Sequence, residues 1–582
     1  MTIEEKLKSL RAELQERKLD AYLITGSDPH QSEYVSSRWR TREYISGFSG
    51  SAGTVVVTAD KAVLWVDSRY FIQSEAQTKG TEYIVMKPEL GDDDYLTWLK
   101  KNLKAGQKLG VEATEMSITA FHKLSDELAP EVVAVPTEGV LDAVWTDRPA
   151  VPETRIVEME LRYAGLSSED KIANIRKVLE EKKLDWTFIA SVDDIAWTTN
   201  LRANDIPYNP VFMSYMLITM DKAVVFTSLK RFEGKPEGYP FEVLPYEDCL
   251  PYLEKNLKGN GYYNPSRVVV AFEKVLSGNM NQTGTDITTT MKARKNPIEL
   301  QGMRNAHLQD GVAYINFRAK IAGRTDLHEV AVSDAFEAER KRRPGYLEPS
   351  FGPISGYQDN GAMCHYSATD ESSKKIEGSG LLVLDTGGQY EYGMTDLTRT
   401  LLFGEPTEEQ RRDYTLVLKG HLALAAQRFP VGTCGVQLDI LARQYLWNAG
   451  MTYFHGTGHG VGCRLNVHEG PQNIGTRLLN VPLEPGMVVS DEPGVYKEGR
   501  HGIRIENCIA VQEDVETEFG KFLSFEVLSV VPYEKKLIDV RYLTDVEKNF
   551  INTYHKWVHD ELVDLVDEES KAYLEEATSP LE

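Results

Sequence analysis

Long apolar runs are missing: nothing in the 582 residues approaches the roughly 18 consecutive apolar positions a membrane-spanning helix needs. The opening segment, MTIEEKLKSLRAELQERKLD, is charged throughout and reads as an amphipathic helix, not a signal peptide. Cysteine is scarce. Cys249, Cys364, Cys434, Cys463 and Cys508 are odd in number, scattered and without a CxxC pair, which excludes a disulfide framework and a thiolate zinc site and fits a reducing compartment. A cytoplasmic location is therefore expected. Positive charge is also short, with 65 basic against 88 acidic residues and a net charge of −23, so neither nucleic acid nor an anionic membrane is expected as a main partner.

Apolar residues make up 41% of the chain, with 28 Tyr, 19 Phe and 8 Trp, enough for several hydrophobic cores. At roughly 150 residues per domain the length corresponds to about three or four domains.

Two of them look duplicated. EEKLKSLRAELQERKLDAYLI (4–24) places a periodic helix before a short apolar strand, and EDKIANIRKVLEEKKLDWTFI (169–189) does the same. TADKAVLWVDSRYF (58–71) is echoed by TMDKAVVFTSLKRF (219–232), each read as an alternating strand that follows an earlier apolar one. The offset is 165 residues between Lys18 and Lys183 and 161 between Thr58 and Thr219, a match in order and spacing that favours duplication over coincidence. The prolines of TDRPAVPET mark a linker near residue 150, and Asn296-Pro297 introduces a helix running through Ala306 and Val312. The expected domains are 1–150, 151–297 and 298–545, with a helical extension at 546–582 whose last dozen residues are expected to fray.

The third region holds HGTGHGVG (455–462), which puts two histidines into glycine-rich backbone, and carboxylates at or inside strands. Asp385 follows the apolar LLVL, Asp396 sits in the alternating TDLTRTLLF, Glu492 follows the strand GMVVSD, and Glu506 is read inside a strand between Ile505 and Asn507. A buried carboxylate must be paired, hydrogen-bonded or bound to a cation. Singly, each has a local explanation: Asp385 capping a turn, Asp396 paired with Arg399, Glu506 with Arg504, Glu492 solvated ahead of Pro493, His459 bonded in a turn. Together, four carboxylates and one imidazole make a hard, mainly oxygen ligand set that suits two divalent cations.

These segments, in this order, resemble the metal-ligand motifs of the pita-bread metallopeptidases, which include methionine aminopeptidase, prolidase and aminopeptidase P. The resemblance assigns the metal ligands to Asp385, Asp396, His459, Glu492 and Glu506. HGTGHGVG, NVHEGP, DEPGVY and GIRIEN further resemble the X-prolyl branch, and two related N-terminal domains before a catalytic one resemble the long, cytosolic, three-domain form of aminopeptidase P. The implied fold class is α/β and α+β: two creatinase/prolidase N-terminal-type domains, then a pita-bread domain.

The same resemblance implies three further histidines near the metals, His365 (otherwise a half-buried strand histidine beside Tyr366), His455 and His468, and an Arg504 that holds a ligand carboxylate in place. Asp396 and Glu506 would bridge the ions, Asp385 complete one, and His459 with Glu492 the other. Two manganese ions per subunit are implied, with cobalt or zinc as substitutes. Such a pair makes a water nucleophilic and polarises a peptide carbonyl. The implied reaction is removal of the N-terminal residue from short peptides with proline second. His365 and His468 would stabilise the tetrahedral species and move protons, His455 would shape the proline pocket, and Glu492 would accept a proton. The glycines around the two histidines are expected to let the backbone pass close to metals and substrate. A homodimer is implied too. Prolidase, a cleaver of dipeptides ending in proline, is the alternative within the class, and a metal-free pita-bread binding module the alternative outside it.

Overall fold

The KLD tripeptide ends a helix in the same way twice. In the computed structural model, which describes residues 1–278 and 281–582, helices α1 (Ile3–Glu16) and α2 (Ser168–Lys182) both terminate beside a lysine in the left-handed region, Lys18 at φ 58° and Lys183 at φ 56°. Leu19 and Leu184 then donate back to Leu14 and Leu179, the bonding of a Schellman end, and both leucines are buried. The aspartate that follows reaches a neighbouring strand: the Asp20 carboxylate accepts from Lys108 N at 2.8 Å, and Asp185 accepts from Asn260 N at 2.8 Å.

The sheets they serve match strand for strand. The first contains β1 (Ala21–Ile24), β2 (Thr54–Thr58), β3 (Ala62–Trp65), β4 (Tyr83–Met86), β5 (Lys108–Glu112) and β6 (Val133–Thr137), in the order β4-β3-β2-β1-β5-β6. The second contains β7 (Trp186–Ile189), β8 (Tyr215–Thr219), β9 (Ala223–Phe226), β10 (Glu242–Leu244), β11 (Gly261–Tyr263) and β12 (Gln282–Thr283), in the order β10-β9-β8-β7-β11-β12. In both, the first strand pairs antiparallel with the second and parallel with the fifth, the second antiparallel with the third, and the third parallel with the fourth. The second repeat is the tight turn between β2 and β3 and between β8 and β9. Thr58 and Thr219 accept from Lys61 N and Lys222 N and bond the aspartate between them.

The strands after these turns are buried on both faces, not alternately. Ala62 and Leu64 pack into one apolar layer and Val63 and Trp65 into another, because each sheet is covered on two sides. These two sheets lie in one compact unit, residues 1–158 and 167–288; residues 159–166 and 289–582 form the other.

The long helix of the second unit is α3 (Pro297–Ile321). Asn296 caps it, accepting from Ile298 N and Glu299 N, while the Glu299 carboxylate accepts from Asn296 N at 3.0 Å and Pro297 takes the first helical position. Next come α4 (Glu329–Arg340) and the antiparallel strands β13 (Ile354–Tyr357), β14 (Gly380–Thr386) and β15 (Leu397–Phe403), in that order across the sheet. Helices α5 (Glu408–Ala425) and α6 (Gly435–Asn448) precede a second sheet. Its strands are β16 (Gly458–Gly460), β17 (Glu469–Ile474), β18 (Val488–Asp491), β21 (Asn507–Thr517) and β22 (Gly520–Val527). The hairpin of β19 (Gly494–Lys497) and β20 (His501–Arg504) stands between β18 and β21 in the chain. The order is β22-β21-β18-β16-β17, with Phe429–Pro430 at the β22 edge. Leu382, Leu384 and Leu401 belong to one fully buried core and Ala442, Val489 and Ile509 to another, at about 1.5–3 kcal/mol for each large side chain removed from water.

Helix α7 (Asp545–Leu562) follows a capping box of Thr544 and Glu547 and buries Ile551, Val558 and Leu562. The expected fraying of the last dozen residues is not seen. Residues Lys571–Thr578 form α8, with Leu574 fully buried, and Leu581 N donates to Asn552 Oδ1 at 2.8 Å. Among the described residues, no helix is long and apolar enough to cross a membrane.

Candidate metal centre

The carboxylates stand at strand ends. Asp385 is the penultimate residue of β14, Asp396 immediately precedes β15, Glu492 immediately follows β18, and Glu506 lies in the break between β20 and β21. Glu506 was expected inside a strand and Asp396 within the alternating run; both sit instead where the backbone leaves its ladder. There Glu506 N donates across to Thr398 O at 3.1 Å and Glu492 N to Thr457 O at 2.8 Å, so the main chain stays satisfied while the side chains turn to one centre. His459 is the middle residue of β16.

Among the described residues, Asp396, His459 and Glu506 form the group that could hold an ion, with ligand atoms all within 4.8 Å of one another. His459 Nε2 is 3.4 Å from Asp396 Oδ2 and 3.6 Å from Glu492 Oε1. Its Nδ1 lies 2.8 Å from Gly460 O and donates to it, which turns Nε2 toward the carboxylates. Thr398 Oγ1 donates to Glu506 Oε2 at 2.7 Å, aiming the other oxygen. Arg504 donates to Asp385 Oδ2 at 2.7 Å, while Asp385 Oδ1 is buried with no hydrogen-bond partner.

The local alternatives for these residues are not what forms. Arg399 spends its guanidinium on carbonyls of Thr398, Glu506, Val531 and Pro532 and on Asn507, and Arg504 pairs with Asp385, not Glu506. Asp385 caps no turn with its bare Oδ1, and Glu492 is only 18% exposed.

The electrostatics are those of crowded, dry carboxylates. Burial and mutual repulsion push Glu506 well above the usual carboxylate range and Glu492 up to about 7; burial also raises Asp385 against the pull of Arg504. Burial disfavours a charged His459, yet Asp396 and Glu492 outweigh it and raise the ring to about 9. A bound cation removes this penalty. The orphaned Asp385 oxygen, the His459 Nε2 turned to Asp396 and Glu492, and the hard donor set all fit divalent ions.

The other three histidines sit around this group. The rings of His459 and His468 meet edge to face at 4.3 Å. His455 bonds Tyr496 Oη at 2.8 Å, and burial, then Arg504 and then His365, lower its pKa to about 3. His365 is half-buried in a turn, not on a strand. Tyr496, which the sequence reading passed over inside DEPGVY, joins His455 to Arg504 Nη1 at 2.6 Å. Arg443 and Asp439, one helical turn apart on α6, were missed as well. Arg443 donates to the carbonyls of Tyr453 and His455, and Asp439 accepts from Thr457, so they hold the glycine loop. Their spacing of four on a helix was the available signal.

The glycines of that loop do a different task from the one expected. A Cβ on Gly458 would stand 1.9 Å from Ser490 O, and one on Gly460 2.4 Å from Glu469 O. They admit β16 between its neighbours β18 and β17, which is what brings His459 to the centre.

Residues 301–513 match Metallopeptidase family M24, residues 6–144 and 147–299 each match the Creatinase/Prolidase N-terminal domain, and residues 521–581 match the C-terminal region of peptidase M24. A probable Xaa-Pro aminopeptidase P of Botryotinia fuckeliana is 38% identical over 99% of this chain and 93% of its own length. The Xaa-Pro aminopeptidase 1 of Dictyostelium discoideum is 36% identical over 97% and 94%. The crystal structure of X-prolyl aminopeptidase from Caenorhabditis elegans, described as a cytosolic enzyme with a di-nuclear active site, superposes with a TM-score of 0.95 at 33% identity, covering 100% of both chains. A prolidase from Pyrococcus horikoshii covers only 63% of this chain, at a TM-score of 0.51 and 24% identity, and shares the fold alone. From its two N-terminal domains to its C-terminal region, this chain belongs to the Xaa-Pro aminopeptidase P family of M24 metallopeptidases.

Proposed function

We propose that this chain is a cytoplasmic metalloaminopeptidase that removes the N-terminal residue from short peptides with proline in the second position, using two divalent ions, manganese by preference. The observation that carries the reading is the converging donor group of buried Asp396 and Glu506 with half-buried His459. In this reading Asp396 and Glu506 would be shared by the ions, Asp385 would complete one and His459 with Glu492 the other, and Arg504 would steady Asp385. Several hard oxygens with one imidazole favour manganese, and cobalt or zinc fit the same donors. When bound, the pair supplies an activated water and polarises the scissile carbonyl.

The chain's own residues supply the rest. Glu492, beside the centre, is the residue that accepts a proton from the nucleophile. The prolyl nitrogen carries no hydrogen in the peptide and must gain one on leaving; His365 and His468 hold and move protons there and steady the charge growing on the substrate oxygen. His455, held neutral and tied to Tyr496, offers an uncharged wall to the pyrrolidine ring. The boundaries 1–150, 151–297, 298–545 and 546–582 are our division of the chain; the family spans 6–144, 147–299 and 301–513 support the first two, while the C-terminal span begins at 521, ahead of the last, and a homodimer is the assembly we expect.

Elemental analysis followed by incubation with Arg-Pro-Pro and Gly-Pro tests the reading. Release of arginine from the tripeptide is expected. Hydrolysis of the dipeptide alone would make the chain a prolidase, and a metal-free, inactive protein would make it a binding module.

A further inference from the structure

His421, outside the ligand set, touches both strands that lead into it. The ring projects from α5 and is fully buried. Nδ1 lies 3.1 Å from the Asp491 carbonyl and 3.2 Å from its Oδ2; Nε2 lies 3.0 Å from Tyr533 Oη and 3.2 Å from Asn507 Nδ2. Asp491 ends β18 and Asn507 begins β21, and they are register partners, the last pair of that antiparallel ladder. Glu492 follows the one and Glu506 precedes the other. Beyond this pair the strands part, Glu492 N turning to Thr457 and Glu506 N to Thr398. The ladder therefore stops one residue short of each carboxylate, and the ring braces its open end.

Arg399 sets the orientation of Asn507. Arg399 can only donate, and its Nη2 donates to Asn507 Oδ1 at 2.8 Å, so Asn507 presents its amide hydrogens to His421. Asn507 Nδ2 also lies 3.3 Å from Tyr533 Oη; with the amide directed at Nε2, the ring proton sits on Nδ1 for the Asp491 carbonyl. A directed chain thus runs from Arg399 through Asn507 and His421 to Asp491, with every member buried. A packing histidine needs only one partner for each nitrogen; this ring ties together the two residues next to proposed ligands from opposite strands.

We propose that His421 is a positioning residue that fixes the separation of the Glu492 and Glu506 carboxylates, and through it the affinity of the centre for its ions. The proposal rests on the ligand reading given above. Groups that orient metal ligands typically carry about 10–100-fold in metal affinity.

The test is calorimetric titration of the metal-stripped full-length chain with Mn²⁺, alongside the thermal midpoint of the metal-free protein. If the unsubstituted chain binds no Mn²⁺, the ligand reading itself fails, whatever His421 does. If it binds, His421→Phe should weaken binding at least about tenfold. His421→Asn, which keeps a donor for the Asp491 carbonyl but loses the reach to Asn507, and Asn507→Leu should each weaken it in the same direction; they carry the test if the Phe variant does not fold. The double variant His421→Asn/Asn507→Leu should bind no worse than the weaker single, since both cut one chain. An Mn²⁺ affinity within twofold of the unsubstituted chain in either single variant, or losses that multiply in the double, would overturn the proposal and leave His421 a packing residue.

Discussion

Arg504 and Asp385 form a buried ion pair, Nη2 to Oδ2 at 2.7 Å, with side chains 3% and 12% exposed. The guanidinium is shared: Nη1 donates to Tyr496 and Nη2 also to the Cys364 carbonyl, so one residue registers a proposed ligand, the partner of His455 and the turn that carries His365. A lysine keeps the charge but not the fork. Arg504→Lys should therefore lower metal affinity and kcat together, by about 10–100-fold. Arg504→Ala, which strands the Asp385 carboxylate, should in addition destabilise the second unit by about 3–5 kcal/mol. Calorimetric metal titration and thermal unfolding separate the two effects, and an Arg504→Lys variant with full metal affinity would remove the arginine from the site.

Glu506 accepts from Thr398 through one oxygen and has the other available to the centre. Glu506→Gln preserves shape but replaces a charged oxygen donor by an amide. Metal content should fall below two ions per chain and turnover should be lost, while thermal unfolding of residues 1–158 with 167–288 stays as it was. Full activity in this variant would take Glu506 out of the mechanism.

Glu329 organises the segment that carries His365. Its buried carboxylate accepts from Tyr357 N at 2.6 Å, Lys374 N at 2.8 Å, Asn360 Nδ2 at 2.9 Å and Tyr366 Oη at 3.0 Å, and Tyr366 is the neighbour of His365. A glutamine meets four donors with one acceptor oxygen and leaves some unpaired, at about 1–3 kcal/mol each. Glu329→Gln should speed amide hydrogen exchange across 357–374 and lower kcat by about tenfold with KM little changed, a milder version of the loss of about 10²-fold expected for His365→Ala. Unaltered exchange in that segment would refute the tie between Glu329 and His365.

What the sequence displayed was what short-range chemistry writes into it. KLD recurs because a helix end needs a left-handed residue, a buried leucine and an aspartate for the next strand, all within three positions. The proposed ligands stood out as candidates because hard donors recur at the ends of apolar runs, and the family resemblance assigned them. His421, Glu329 and Tyr496 gave no signal: each looks like an ordinary polar residue, and the partners Tyr533, Tyr366 and His455 lie tens of residues or more away along the chain. The same distance explains the misplacement of Glu506 within a strand. The alternation around it is real, but the ladder breaks there because Thr398, from another sheet, takes its amide. Fraying was expected at the C-terminus because the last segment alone has little apolar surface; docking of Leu574 into a core contributed by distant elements decides otherwise.

Asp413 ties α5 to the β19–β20 hairpin and gives the second unit an acid limit. Its carboxylate is 2.5 Å from Lys497 Nζ, 2.8 Å from Arg412 Nη2 and 3.1 Å from His501 Nε2. Burial opposes the charge, but these partners prevail and hold the group down at about 2. Because the folded value lies below the unfolded one, the stabilisation is complete above about pH 4 and disappears as the pH falls toward about 2. A shift of this size corresponds to at most about 2 kcal/mol, and solvent screening at the exposed Arg412 reduces it to about 1. Asp413→Asn should therefore melt below the unsubstituted protein at neutral pH, with the gap between them closing as the pH drops from about 4. Scanning calorimetry of the second unit across that window measures the gap, and a difference that stays constant down to the acid end would show that Asp413 stabilises by packing and not by its charge.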